Sequence, residues 1–265
     1  MTILYNSIFY QIKKINIWKM EIKNEILKNN KDIISDVIVI KNRFWEGYET
    51  NHGAHYYAYS PYITGYTKVT GNIELPNSLH TSKGKRNAYI SFGVVGLYGS
   101  IDMGIMNSGE GWKPFYFDVK NKKFFSFKDF TVKDAINVVI QIDVSPNRKA
   151  LFSLQFKGEN SCLLKYFLTE VDASHILVYE NSKVKNRFYR FASLVPVGKD
   201  NQNDGTYMID GKFKDLKIVK DNEEQNWGID SDNIDVSWLV SSRRITFKHK
   251  NDNENFSIIH KQKNI

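Results

Sequence analysis

A single cysteine, Cys162, stands among the 265 residues, so no internal disulfide can form and no Cys-rich zinc site can be built. It lies in the apolar run SCLLKYFL and is expected to be a small buried hydrophobe. Long hydrophobic runs are missing too. No stretch reaches the ~18 consecutive apolar residues of a membrane-spanning helix, so no membrane span is expected. The first residues, MTILYNSIFYQIKKINIWKM, interrupt their apolar positions with Asn, Gln and Lys. They lack the continuous apolar region and small-residue cleavage site of a secretory leader. That favours a cytoplasmic protein by default, and an extracellular one if the true start lies elsewhere. Residues 1–19 read as a tail ahead of Met20. Proline numbers only five, and no Pro/Gly/Ser linker, repeat or low-complexity run divides the chain. No G-x-S-x-G elbow, P-loop or dinucleotide fingerprint is present, and no cofactor is expected.

An excess of acidic residues is also absent; the net charge is +8. Such a value invites a nucleic-acid reading, but the excess sits at the two ends. Residues 36–240 carry 25 basic and 24 acidic side chains and are almost neutral. A nucleic-acid face places its basic residues in a stripe on the folded body, so no nucleic-acid partner is expected.

What the chain does have is aromatic residues, 14% of the total, with 15 Tyr and 17 Phe. They fall in short segments in which β-branched and aromatic residues are broken by Gly, Pro, Asn or Asp. This is the pattern of packed strands. Segments of this kind span 67–75, 88–95, 100–106, 114–119, 135–144, 149–156, 163–168, 176–180, 188–195, 207–219, 236–239 and 244–248, with one more at 256–260. Residues 145–148 (SPNR) read as a hairpin turn. Residues 221–235 read as a polar surface excursion. Glu21 to Val39 has apolar residues at helical spacing and is expected to form a short amphipathic helix or to run into a strand. The prediction is an all-β, two-sheet antiparallel sandwich, with residues 1–39 as tail and helix, 40–250 as the sandwich and 251–265 as a last strand or tail.

The order of segments resembles a known family. Phe44-Trp45-Glu46-Gly47-Tyr48, then Tyr66-Thr67-Lys68-Val69-Thr70-Gly71 leading to Leu75-Pro76, is similar to the start of the eqolisin (glutamic peptidase) domain. Ala88 to Gly93 and Ser100 to Ile105 resemble its next two strands, Trp112 to Tyr116 its aromatic strand, and Asn233 to Lys248 its C-terminal hairpin. The resemblance covers residues 40–250 and implies a concanavalin-like jelly roll of two curved sheets. The family works with a Gln and a Glu facing each other on the concave sheet. Here the Gln position holds Asp102, and the strand of the Glu corresponds to Asn186 to Arg190, with Arg187 and no Glu. Asp102 facing Arg187 is expected to form an ion pair that depresses the carboxyl pKa. A general acid needs its proton near the working pH, so the resemblance implies the fold more than the chemistry.

The site expected from these residues is an aromatic concave face. Trp45, Tyr56, Tyr57, Trp112 and Tyr116 would supply stacking area, and Asp102, Glu110 and Arg187 the polar contacts. Asn107 to Trp112 forms a tight loop that either presents Glu110 and Trp112 or tucks the Trp between the sheets. His52 and His55, near Glu46 and Glu49, lie in a Gly-containing loop without the helical His-Glu-x-x-His spacing, and no metal is expected. Non-catalytic binding of a glycan or another extended polymer is the leading expectation. A divergent eqolisin-like acid peptidase using Asp102 is the alternative, and a self-assembling surface protein the third reading.

Overall fold

The structure, a computed structural model, describes residues 44–46, 53–81, 86–144, 148–197, 204–241, 244–250 and 253–260. Contacts divide the chain into residues 1–40 and 41–265, and every described residue lies in the second unit. The helix expected over 21–39 falls outside the described residues.

Among the described residues nineteen strands follow one another. The first nine are β1 (Phe44–Glu46), β2 (Ala54–Tyr59), β3 (Ile63–Thr64), β4 (Tyr66–Glu74), β5 (Ser78–His80), β6 (Arg86–Gly96), β7 (Gly99–Asn107), β8 (Trp112–Asp118) and β9 (Lys123–Ser126). Then come β10 (Asn137–Asp143), β11 (Lys149–Lys157), β12 (Leu163–Asp172), β13 (Val178–Glu180) and β14 (Lys183–Pro196). The last five are β15 (Tyr207–Lys220), β16 (Glu223–Asn226), β17 (Val236–Val240), β18 (Ile245–Lys250) and β19 (Asn253–Ile259). Every strand read from the sequence is present. The aromatic-dense stretch before Tyr66, which shows no helical period, supplies β1 to β3.

The strands form two sheets. One runs β1-β17-β2-β14-β6-β7-β8-β9, with β3 and β13 joined to β14. The other runs β12-β11-β10-β4-β15-β19-β18, with β5 and β16 joined to β15. Pairing is antiparallel except between β1 and β17. β10 and β11 pair in the expected hairpin register, Asp143 opposite Leu151.

The core lies between the sheets and follows period-two alternation. β6 contributes Ala88, Ile90, Phe92 and Val94, β7 contributes Ile101, Met103 and Ile105, and the second sheet answers with Val138, Ile140, Phe152 and Leu154, all fully buried. Trp227 is fully buried as well. The excursion expected over 221–235 is thus only partly superficial: β16 pairs back onto β15 and drives its Trp inward. Cys162 is exposed rather than buried, because it sits in the turn that feeds β12.

One ionic cluster crosses this core. Arg190 on β14 and Glu254 on β19 are fully buried and bridge the two sheets. Arg190 Nε donates to Glu254 Oε2 at 2.9 Å, and the Tyr56 hydroxyl donates to the same oxygen at 2.7 Å. A second guanidinium nitrogen pairs with Oε1, and the guanidinium lies 4.8 Å from the centre of the Trp227 ring. Burial, then the Glu254 charge, pushes the Tyr56 hydroxyl well above its ordinary pKa, so it remains a donor.

Candidate functional site

The face of the first sheet turned away from the core carries a second set of side chains. β14 presents Arg187, Tyr189, Phe191 and Ser193 there, β2 presents His55, Tyr57 and Tyr59, and β8 presents Phe115 and Phe117. Their parity is opposite to that of the core residues on the same strands. Register aligns them in rows. One row reads Phe117, Asp102, Gly93, Tyr189, Tyr59 across β8, β7, β6, β14 and β2. The next reads Phe115, Gly104, Ser91, Phe191, Tyr57 across the same strands.

Small residues stand mid-row: the Tyr189 ring lies over Gly93 in the first row, while Gly104 and Ser91 in the second leave room between the flanking Phe115 and Phe191 rings, where a hollow opens. The hollow has a volume of about 260 Å³. Tyr57, Tyr89, Phe115, Phe117, Phe124 and Phe191 form most of its wall, and Asp102, His55 and Ser193 are its polar lining. Two floor hydroxyls, Ser91 Oγ and Ser193 Oγ, are buried without a hydrogen-bond partner among the described residues.

Among the described residues Asp102 has one direct partner, the Tyr189 hydroxyl, which donates to Oδ1 across β6. Gly93 permits this. A Cβ there would lie 2.2–2.6 Å from ring atoms and the hydroxyl of Tyr189. Gly93→Ala is therefore expected to push the Tyr189 ring aside, break its bond to Asp102 and cost about 1–3 kcal/mol, as overpacking does. Chemical denaturation of the variant beside Tyr189→Phe checks this. The phenol variant loses only the hydrogen bond, so it should be the milder of the two.

Burial pushes the Asp102 carboxyl up to about 7. The sequence predicted the opposite shift, from an ion pair with Arg187. That pair is not formed. Arg187 sits two residues along β14, where its Nε donates to the Ser60 carbonyl at 2.9 Å and its guanidinium pairs with Asp235 at 3.0 Å and stacks 4.9 Å from the Tyr59 ring centre. The group facing Asp102 is a phenol and not a cation, so desolvation governs the pKa of Asp102. The Tyr57 hydroxyl is raised as well, by burial and then by the charge of Asp102.

The other expected residues divide by strand parity. Tyr57 lies in the hollow wall. Tyr56 points the opposite way, into the buried Arg190–Glu254 cluster. Trp112 opens β8 and packs into the core, and Tyr116 packs against that core and stacks on Phe125 at 4.5 Å. Glu110 is exposed in the turn before β8, away from the hollow's lining. Trp45 lies on β1, and its side chain is outside the described residues, as is His52. His55 stacks on Tyr57 at 5.7 Å. Among the described residues no group of three or more His, Cys, Asp or Glu is placed to hold a metal. Sequence reasoning missed Tyr189, Phe191, Ser193, Phe115, Phe117, Tyr89 and Phe124.

No protein-family model and no curated protein sequence matches the chain. Its likeness to solved structures is decisive for the fold. Scytalido-glutamic peptidase, solved with a peptide-based transition state analog, aligns at TM-score 0.53 over 79% of this chain and 100% of that one, with 9% identity. SCP-B, a member of the eqolisin family of peptidases solved with the tripeptide Ala-Ile-His, aligns at TM-score 0.51 over 79% and 100%, again with 9% identity. The sandwich is eqolisin-like. In this eqolisin-like sheet a carboxyl and a phenol, Asp102 and Tyr189, face each other across Gly93, and among the described residues no Gln or Glu lines the hollow.

Proposed function

We propose that the protein is a non-catalytic binder of an extended polymer, a polypeptide rather than a glycan. The polymer lies along the outer aromatic face of the first sheet and places one apolar side chain in the Asp102 hollow. The observation that carries this reading is the lining. Seven of its ten residues are aromatic or aliphatic, and besides the hydroxyls of Tyr57 and Tyr89 the polar groups are those of Asp102, His55 and Ser193. A sugar ring brings several hydroxyls, each of which loses free energy if desolvated without a partner. An apolar side chain asks only for the ring contacts the wall provides. The aromatic surface continues past the hollow through the stacked Tyr59–Tyr189 pair, 5.0 Å between centroids, to Trp238. Peptide ligands in two eqolisin-fold structures support the same choice of polymer.

The test is binding of short extended peptides, each with one Phe, Tyr or Leu, against soluble glucans by calorimetry. Peptides with a large apolar residue should bind and glucans should not. Phe117→Ala should weaken peptide binding by about tenfold or more, the usual scale for an aromatic anchor. Peptide affinity unchanged by Phe117→Ala and Phe124→Ala together would remove the hollow from the binding site.

The pKa of Asp102 favours a second reading, an eqolisin-like acid peptidase. A carboxyl protonated below about 7 can give its proton to a leaving amine, and Tyr189 can hold it in place. Against it stands the lack, among the described residues, of a second carboxylate in the hollow to take a proton from water or a carboxamide to orient it. Cleavage of a denatured protein mixture in acid, read by mass spectrometry, separates the two. New termini that vanish in Asp102→Asn establish the peptidase, and intact substrate leaves the binder.

A further inference from the structure

Ser193 lines the hollow with its hydroxyl buried and unpaired. The residue is 1% exposed, and its Oγ has no hydrogen-bond partner among the described residues. On the same face of β14 its neighbours are Phe191 and Val195, which offer no polar side-chain atom. In register it stands between Tyr89 on β6 and His55 on β2. The Tyr89 hydroxyl is turned to Asn87, whose amide donates to it at 3.1 Å, and the His55 ring is stacked on Tyr57. A hydroxyl desolvated without a partner costs free energy in the native state. A ligand that brings a polar atom to it removes that cost on binding.

The place of Ser193 says what must carry that atom. Asp102 pairs through Gly93 with Tyr189, and Ser193 lies four residues further along β14. The two polar groups thus stand toward opposite ends of the hollow, with the row of Phe115, Phe191 and Tyr57 between them. A side chain that reaches Ser193 past these rings needs a flat apolar body and a polar atom at its far end. Tyrosine has both, and its hydroxyl can donate or accept. Phenylalanine and leucine have the body without the atom. Serine and threonine have the atom without the body.

We propose that the hollow selects tyrosine, with the phenol of the bound polypeptide hydrogen-bonded to Ser193. This rests on the reading of the hollow as a polypeptide's anchor site, and adds which residue the polypeptide must carry. The lining also limits the state of that residue. Among the described residues it includes the acid Asp102 and no Lys or Arg. A phosphorylated tyrosine would bring about two negative charges into a desolvated site without a basic partner for them. The ligand is therefore the unmodified residue.

Calorimetry with two peptides identical but for Tyr or Phe at the anchor position is the test. The Tyr peptide should bind about tenfold or more tighter, because it alone pairs the buried hydroxyl. Ser193→Ala should erase the preference and bring the two affinities within about twofold of each other. The phosphotyrosine peptide should bind wild type at least about tenfold more weakly than its unmodified form. Thermal melts check the premise. Ser193→Ala removes an unpaired hydroxyl, so its melting temperature should match or exceed that of wild type. If neither the Tyr nor the Phe peptide binds, the polypeptide reading falls and this assignment with it. Equal affinity for the two overturns the tyrosine assignment alone. So does a preference that survives Ser193→Ala, a variant that melts earlier than wild type, or a phosphorylated peptide that binds as well as the unmodified one.

Discussion

Glu254→Ala is expected to remove about 3–5 kcal/mol of stability, the usual cost of stripping one partner from a buried ion pair. The carboxylate is fully buried and accepts from two groups of Arg190 and from the Tyr56 hydroxyl. Its loss leaves a guanidinium charge between two sheets without its counter-charge, beside the Trp227 ring and the Tyr56 hydroxyl, and leaves that hydroxyl without its carboxylate acceptor. The wild-type pair is a different matter from its broken half. Desolvating two charges consumes most of what their attraction returns, so replacing the whole cluster with apolar residues of similar volume need not destabilise. The triple variant Arg190→Met, Glu254→Leu, Tyr56→Phe should therefore recover at least half of the loss seen in Glu254→Ala. Urea denaturation of the set decides this through the midpoint at constant slope. If the triple variant is as weak as the sum of its single changes, the cluster contributes net stability and this account of it fails.

The same cluster marks where sequence reasoning ended. The strands were legible because alternation and turn residues are local signals. The order of the segments was enough to resemble the eqolisin sandwich. Arg190 stands on the core-facing parity of β14 between the apolar Phe188 and Ala192, and its partner lies 64 residues away on the other sheet. Nothing local announces such a pair. Trp227 was hidden in the same way, inside a stretch rich in Asp, Asn and Glu.

The hollow was half legible, for a geometric reason. Period two yields two sets of residues per strand, and a shift of one exchanges the faces. Where one set is purely aliphatic the choice is clear. On β7, Ile101, Met103 and Ile105 must be core, which leaves Asp102 outside. On β2 and β8 both sets are aromatic. Tyr56 and Tyr57 are neighbours with opposite fates, and Trp112 and Tyr116 look as suited to a ligand as Phe115 and Phe117. The signal that could have resolved them is the run of small residues, Ser91, Gly93 and Gly104, which share the parity of Asp102 across paired strands. Carrying that parity over to β14 selects Tyr189 and Phe191 in place of Arg190. The Arg187 partnership failed for the same reason. A residue of the right parity was chosen, one rung away from the phenol that faces the acid.

Asp102→Asn is expected to change how stability depends on pH more than it changes the structure, because an amide oxygen can still accept from Tyr189. The sign follows from linkage. The folded-state pKa is about 7 and the ordinary value is 3.8, so between those limits the native state holds a proton that the unfolded chain has released. The contribution of Asp102 is therefore fully present below about pH 4 and is lost as pH rises through 7. At 1.36 kcal/mol per unit the full gap corresponds to about 4 kcal/mol. The hollow opens to solvent and Asp102 is only half-buried, so screening should reduce the observed loss to about 2 kcal/mol. In Asp102→Asn that fall should vanish, leaving the variant the more stable protein at pH 8 and no more stable than wild type at pH 4. Thermal melts of both proteins at those two values measure it. Parallel curves for the two would mean that the carboxyl is ionised in the folded state throughout. That result would also withdraw the proton on which the acid-peptidase reading depends.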